Sequence, residues 1–232
     1  MSIKPIDVWG HWGAPNPWKV CIILEELKIP YKIHLLEFSE VKEEAYVKIN
    51  PNGRLPAIQD PNNQLTLWEL MQSWQSGAIV QYLIDQYDTD GKISHTSIPE
   101  RYLTQQWLAF QISGQGPYFG QATWFARFHP EKLQSATDRY VNEIFRVNGV
   151  IELALERNGT GWLVGDKLTY ADLVFVTWAA VGEGLLKELG RLEDFESRFP
   201  KYAQWRKAME ERESVRKISD SMARGREEHG LR

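Results

Sequence analysis

The chain has 232 residues, of which 43% are hydrophobic and 25% charged, with a net charge of −4. That length suits one large domain or two small ones, and the composition is that of a globular protein. The charge balance gives no footing for nucleic acid or an anionic membrane, and the lone cysteine, Cys21, excludes an internal disulfide and a cysteine-based zinc site. No secretory signal is visible at the N-terminus, and no run approaches the roughly 20 apolar residues of a membrane helix. The expectation is a cytoplasmic protein with no membrane or nucleic-acid partner and no metal. Ten tryptophans stand out; most are expected in cores, and a minority in a site for a flat apolar ligand.

In chain order, residues 6–9 form a short strand and residues 10–17 a Gly- and Pro-rich turn. Residues 18–27 carry Val20, Ile23, Leu24 and Leu27 at helical spacing, and Pro30 ends that segment. A strand over 31–36, a short helix over 43–49, strands over 55–60 and 65–68, and an amphipathic helix over 76–86 follow. This order, βαβ, a helix, then ββα, predicts a thioredoxin-like α/β domain over 1–88. Residues 89–98 are polar and turn-rich, as linkers are. The remaining 99–232 predict an all-α domain: helices over 100–128 and 131–157, a buried helix over 172–181, and an amphipathic helix over 202–217.

Four local signals bear on function. Asn50-Pro51-Asn52-Gly53-Arg54-Leu55-Pro56 puts a proline just before a strand. Either Pro56 is an ordinary trans proline, or a cis Leu55–Pro56 bond leaves the Leu55 backbone open to pair with a peptide ligand. Ser76, at the start of a helix, is either a plain N-cap or part of a carboxylate site. Asn16 stands beside the first helix N-terminus, where it either caps or donates its amide to a thiolate. Thr169-Tyr170-Ala171-Asp172 fits a capping box stapled by Leu168 and Leu173, a structural device with no catalytic role.

Taken together, these elements resemble the glutathione transferases. Residues 50–58 look like that family's cis-proline loop, Gln75-Ser76 like its γ-glutamyl-binding pair, and residues 162–172 like its buried-helix signature. Residues 110–117, 120–122, 139–140 and 147–150 are similar to a fungal branch that includes a yeast nitrogen-regulating prion protein. The resemblance implies a homodimer that binds glutathione as co-substrate, with no metal. It puts Asn16 at the glutathione sulfur, Leu55 at the cysteinyl backbone, Arg54 at the glycyl end, and Gln75 with Ser76 at the γ-glutamyl end. Lys42 is the nearest substitute for a family histidine, whose place Val41 takes. His11, Trp12, Tyr118 and Trp124 are expected to wall the site of a hydrophobic, electrophilic second substrate.

In the fungal branch a Leu-Trp-Glu segment runs straight into Ser-Gly-Ala. Here Leu67-Trp68-Glu69 is separated from Ser76 by residues 70–75, so either Glu69 or Gln75 partners Ser76; adjacency favours Gln75. The implied reaction is attack of a glutathione thiolate, held by the Asn16 amide, on an electrophilic carbon of a xenobiotic or a fungal metabolite. A glutathione-dependent reductase or peroxidase shares the fold, as does a non-catalytic regulator or carrier. The absence of a long Asn/Gln-rich leader weighs against the regulator.

Overall fold

Ile6 and Val8 are fully buried while Asp7 and Trp9 are half-buried, the two-residue period of a strand packed on one face. The computed structural model describes residues 2–68 and 76–230. Strand β1, Ile6–Gly10, pairs in parallel with β2, Tyr31–Leu35, in the register Ile6 to Tyr31 and Val8 to Ile33. On its other side β1 pairs antiparallel with β3, Ala57–Asp60, which pairs antiparallel with β4, Leu65–Trp68. The sheet order is β2-β1-β3-β4. The parallel pair requires a crossover, which helix α1, Pro15–Leu27, provides. The short helix α2, Glu44–Val47, and helix α3, Gly77–Tyr87, complete the expected order.

Helix α1 begins at Pro15, three residues ahead of the expected start. Pro15 and Pro17 fall in its first turn, where a missing N–H costs nothing because that group has no intrahelical partner. Residues 17 to 24 of α1 are buried without a break, so the helix is covered on several sides. The sheet and α3 cover part of it, and the last helix, α11, Glu213–Glu228, covers another part.

By its internal contacts the chain divides into two units, Met1–Ser94 with Arg212–Arg232, and His95–Glu211. The segment from Arg212 onward, which the sequence places with the second half, thus packs in the first unit. The cause is non-local. Arg212 donates from Nε and Nη2 to the buried Glu26 carboxylate at 2.6 and 2.8 Å, and Ser214 Oγ donates to the same group at 2.5 Å. Burial alone would raise the Glu26 carboxyl, but these donors and the charges of Arg212 and Lys92 hold it below its ordinary value. The helix expected over 202–217 is accordingly broken: Arg212 is extended, between helix α10, Pro200–Glu210, and α11.

The second unit is helical. Helices α4, Glu100–Phe110, and α5, Gly116–Thr123, are joined by a π turn, and a second π turn runs on to Phe128. Helix α6, Gln134–Asn158, follows. The predicted buried helix is realised as α7, Tyr170–Leu173, and α8, Val176–Glu188; a further helix, α9, Leu192–Arg198, was not foreseen. The capping box is present: Thr169 caps α7, and the Asp172 carboxylate accepts from the N–H of Thr169. Asp172 also accepts from the Leu163 N–H and from Trp205 Nε1, both at 2.9 Å, tying three segments to one buried acid. Burial pushes its carboxyl upward against the pull of those donors. Among the described residues no helix is long and apolar enough to cross a membrane.

Candidate functional site

The first unit holds a cleft of about 370 Å³ lined by the turn from Gly13 to Asn16, by Phe38, Val41 and Lys42, and by Gly53, Arg54 and Leu55. Four of the residues singled out from the sequence therefore share one cavity: Asn16, Lys42, Arg54 and Leu55.

The wall at 50–55 is held from beneath. Asn50 is fully buried; its amide accepts from the Asn52 N–H at 2.9 Å and donates to the Arg54 carbonyl at 2.7 Å. Tyr46 Oη donates to the same carbonyl at 2.5 Å. Gly53 has φ 59°, and a Cβ there would stand 2.6 Å from the Val41 carbonyl, so the turn needs glycine on both counts. The Leu55–Pro56 bond is cis. Among the described residues neither the N–H nor the C=O of Leu55 has an internal hydrogen-bond partner, although the residue is buried. An extended peptide laid along Leu55 would satisfy both. Lys42 and Arg54, both exposed, bring two positive charges to the same cleft, with Lys42 Nζ 3.2 Å from the Asn52 carbonyl.

At the opposite wall Asn16 is the second residue of α1, and Ala14 occupies the cap position. Asn16 is thus not the helix cap. Its Oδ1 accepts from Lys19 Nζ at 3.1 Å. Lys19 is 1% exposed, and the same ammonium donates to Ser76 Oγ at 2.7 Å. Ser76 stands at the N-cap position of α3, yet its side chain makes no capping bond. The first-turn N–H groups of α3 have no side-chain cap from it, as at an anion-binding helix end. Sequence reasoning missed Lys19. The available signal was its position three residues after Asn16, on the same face of a helix otherwise apolar there.

The other expected residues have different surroundings. His11 is buried and braces the turn: Gly13 N–H donates to its Nδ1 at 2.9 Å, and its carbonyl accepts from Trp18 Nε1 at 3.1 Å. Burial lowers its basicity, opposed by Glu37 and reinforced by His229. Trp12 is stacked on Trp18 at 5.1 Å and backed by α11 at Gly225. Neither lines this cleft. In the second unit, Tyr118 is half-buried, with its ring 6.4 Å from that of Tyr140 and 5.8 Å from the Arg146 guanidinium carbon. Trp124 is 48% exposed, beside Phe128. Gln75 and Glu69 lie outside the described residues, as do positions 70–74. Cys21 is fully buried, and burial, with Glu25 adding to it, drives its thiol far upward, so it remains protonated and is no nucleophile. Among the described residues no group of side chains could hold a metal ion.

Two family models match the chain: the glutathione S-transferase N-terminal domain over residues 4–85 and the glutathione S-transferase C-terminal domain over residues 116–213. A glutathione S-transferase-like protein of Aspergillus terreus is 48% identical over 226 residues, covering 94% of this chain and 95% of its own. The crystal structure of the glutathione transferase URE2P6 from Phanerochaete chrysosporium, in complex with oxidized glutathione, is 46% identical with a TM-score of 0.86, over 96% of this chain and 98% of that one. Ure2p5 from the same fungus, cocrystallized with 1-(S-glutathionyl)-2,4-dinitrobenzene, is 37% identical with a TM-score of 0.83, over 97% of each chain.

Proposed function

This chain belongs to the glutathione S-transferase family, and on that premise we propose that it joins glutathione to an electrophilic carbon of a hydrophobic, aromatic substrate. The observation that carries the proposal is the cleft itself, with a Leu55 backbone unpaired among the described residues, two cations and the Asn16 amide along one wall or another. The cysteinyl backbone of glutathione pairs with the Leu55 N–H and C=O, and its glycyl carboxylate lies toward Lys42 and Arg54. Its γ-glutamyl end reaches Ser76 and the N-terminus of α3, and the family resemblance assigns Gln75 to the same end.

The thiol then falls at Asn16. Two of the first positions of α1 are prolines, so the backbone there has few N–H groups to offer and a side-chain amide is the natural donor. Asn16 does not remove the proton, because an amide takes up no proton near neutral pH. The proton goes to water, and the amide N–H stabilises the thiolate left behind. That thiolate forms a new bond to carbon as the leaving group departs with the electron pair of the old one. A cytoplasmic homodimer belongs to the same proposal and rests on the family resemblance.

The test is turnover of glutathione with 1-chloro-2,4-dinitrobenzene, chosen because a related protein was crystallized with the corresponding conjugate. A hydrogen bond to a charged group contributes about 1.5–3 kcal/mol. Asn16→Ala should therefore slow turnover by about one to two orders of magnitude. A wild-type protein that binds glutathione and turns over no electrophile would be a carrier or regulator. An Asn16→Ala protein with the wild-type rate would remove Asn16 from the mechanism.

A further inference from the structure

Asparagine and serine are ambidextrous. An amide can turn either its oxygen or its NH2 toward a ligand, and a hydroxyl can accept or donate. Against a thiolate or a carboxylate only the donating choice attracts. The proposed site needs both Asn16 and Ser76 to make that choice, and one side chain faces both of them.

Lys19 is almost wholly buried, and its ammonium lies 3.1 Å from Asn16 Oδ1 and 2.7 Å from Ser76 Oγ. A lysine ammonium has three donors and no acceptor. Facing Asn16, it accepts only the amide oxygen as its neighbour; the flipped amide would press NH2 against NH3⁺. The NH2 edge is thereby turned away from Lys19. Facing Ser76, it occupies a lone pair of Oγ, so the hydroxyl proton is the part left for a ligand. Hydrogen bonds in series also polarise one another, so an amide whose oxygen rests on a cation is a stronger donor at its nitrogen.

We infer that Lys19 is a positioning residue that commits Asn16 and Ser76 to donate toward an anionic ligand, orienting the thiol-binding and γ-glutamyl-binding ends of the site from one buried cation. This rests on the reading of Asn16 and Ser76 given above. Lys19 is assigned no reacting atom; its proposed effect runs through Asn16 and Ser76. Its loss therefore has a signature that loose packing does not share. The acidic limb of the kcat profile at saturating glutathione moves to higher pH, because the bound thiol becomes harder to ionise. KM for glutathione rises because Ser76 is freed as well.

The experiment is a double-mutant cycle on the full chain, with Lys19→Met and Asn16→Ala alone and combined, assayed with glutathione and 1-chloro-2,4-dinitrobenzene across pH. Lys19→Met should lower kcat/KM about tenfold and raise the pH of the acidic limb. In the Asn16→Ala background the same change should leave the pH of that limb where it is. If Lys19→Met lowers activity by the same factor in both backgrounds, with the acidic limb unmoved, Lys19 is merely structural and the inference fails. If Asn16→Ala alone costs nothing, the underlying reading fails instead. Should Lys19→Met not fold, Lys19→Gln serves on the same criterion. A glutamine carries no charge to polarise the Asn16 amide, so a wild-type pH profile in Lys19→Gln overturns the inference.

Discussion

Replacing Gly225 by alanine should damage the protein out of proportion to one methyl group. Gly225 is buried in the last turns of α11, and an added Cβ would come within 2.5 Å of Trp12 Cε2 and closer still to two neighbouring ring carbons. Trp12 cannot retreat easily, since its other face is stacked at 5.1 Å on Trp18, which is 2% exposed. Either α11 lifts or the turn carrying Trp12 moves, and overpacking of this kind costs about 1–3 kcal/mol. At about 2–4 °C per kcal/mol for a chain of this size, the melting temperature should fall by several degrees. The same turn leads directly to Gly13–Asn16, so KM for glutathione should rise as well. Gly184→Ala is the control. It makes the same chemical change inside α8, where nothing lies within 4 Å of the new Cβ, and it should stabilise by about 0.5–1 kcal/mol. Thermal melts and glutathione kinetics on the two variants decide the matter. A Gly225→Ala protein as stable as wild type, with unchanged KM, would refute the packing assigned to α11.

Glu26→Gln should destabilise by about 2–3 kcal/mol at neutral pH, because Arg212 and Ser214 would lose their charged acceptor. Glu26 is held below its ordinary value of 4.5, so its contribution is present above that pH and is lost as the pH falls through the lower folded value. Melts taken down an acid series should therefore converge for the two proteins; parallel curves would contradict the pairing. Asp172→Asn should cost about 2–4 kcal/mol, since an amide NH2 must then face one of the donors from Leu163, Thr169 or Trp205. Denaturant titration would show it, and a midpoint equal to wild type would refute it. Lys42→Ala and Arg54→Ala should each raise KM for glutathione by up to about fivefold with kcat unchanged, as expected of exposed charges. The effect should shrink in high salt, and a salt-independent loss would point away from charge.

The order of elements in the first unit was legible because its strands alternate with a clear period and its turns are marked by Gly and Pro. The Thr169–Asp172 capping box was legible for a similar reason: it is a local pattern with a local cause. Failures came where the cause was distant in sequence. The break at Arg212 follows from an ion pair with Glu26, 186 positions away, which no helical periodicity over 202–217 can reveal. The stacking of Trp12 on Trp18 and the approach of Gly225 to it were equally hidden, since the Gly225 contact is far away in sequence. Asn16, Lys42, Arg54 and Leu55, which line one cleft, were legible in different ways: turn chemistry pointed to Asn16 and Leu55, and the family resemblance pointed to Lys42 and Arg54. The spacing of Lys19 from Asn16 was readable, but its pairing with Ser76, 57 positions away, was not. A lysine on an otherwise apolar helix face shows where burial must be compensated, not what compensates it.

The proposed reaction requires this site to bind glutathione and hold its sulfur as a thiolate. The most direct test follows the ultraviolet absorbance of the thiolate while the glutathione-saturated protein is titrated with base. The apparent pKa of the bound thiol should lie clearly below the roughly 8.5 of a free thiol and return toward that value in Asn16→Ala. A bound thiol that titrates like free glutathione, or no saturable binding at all, would contradict it.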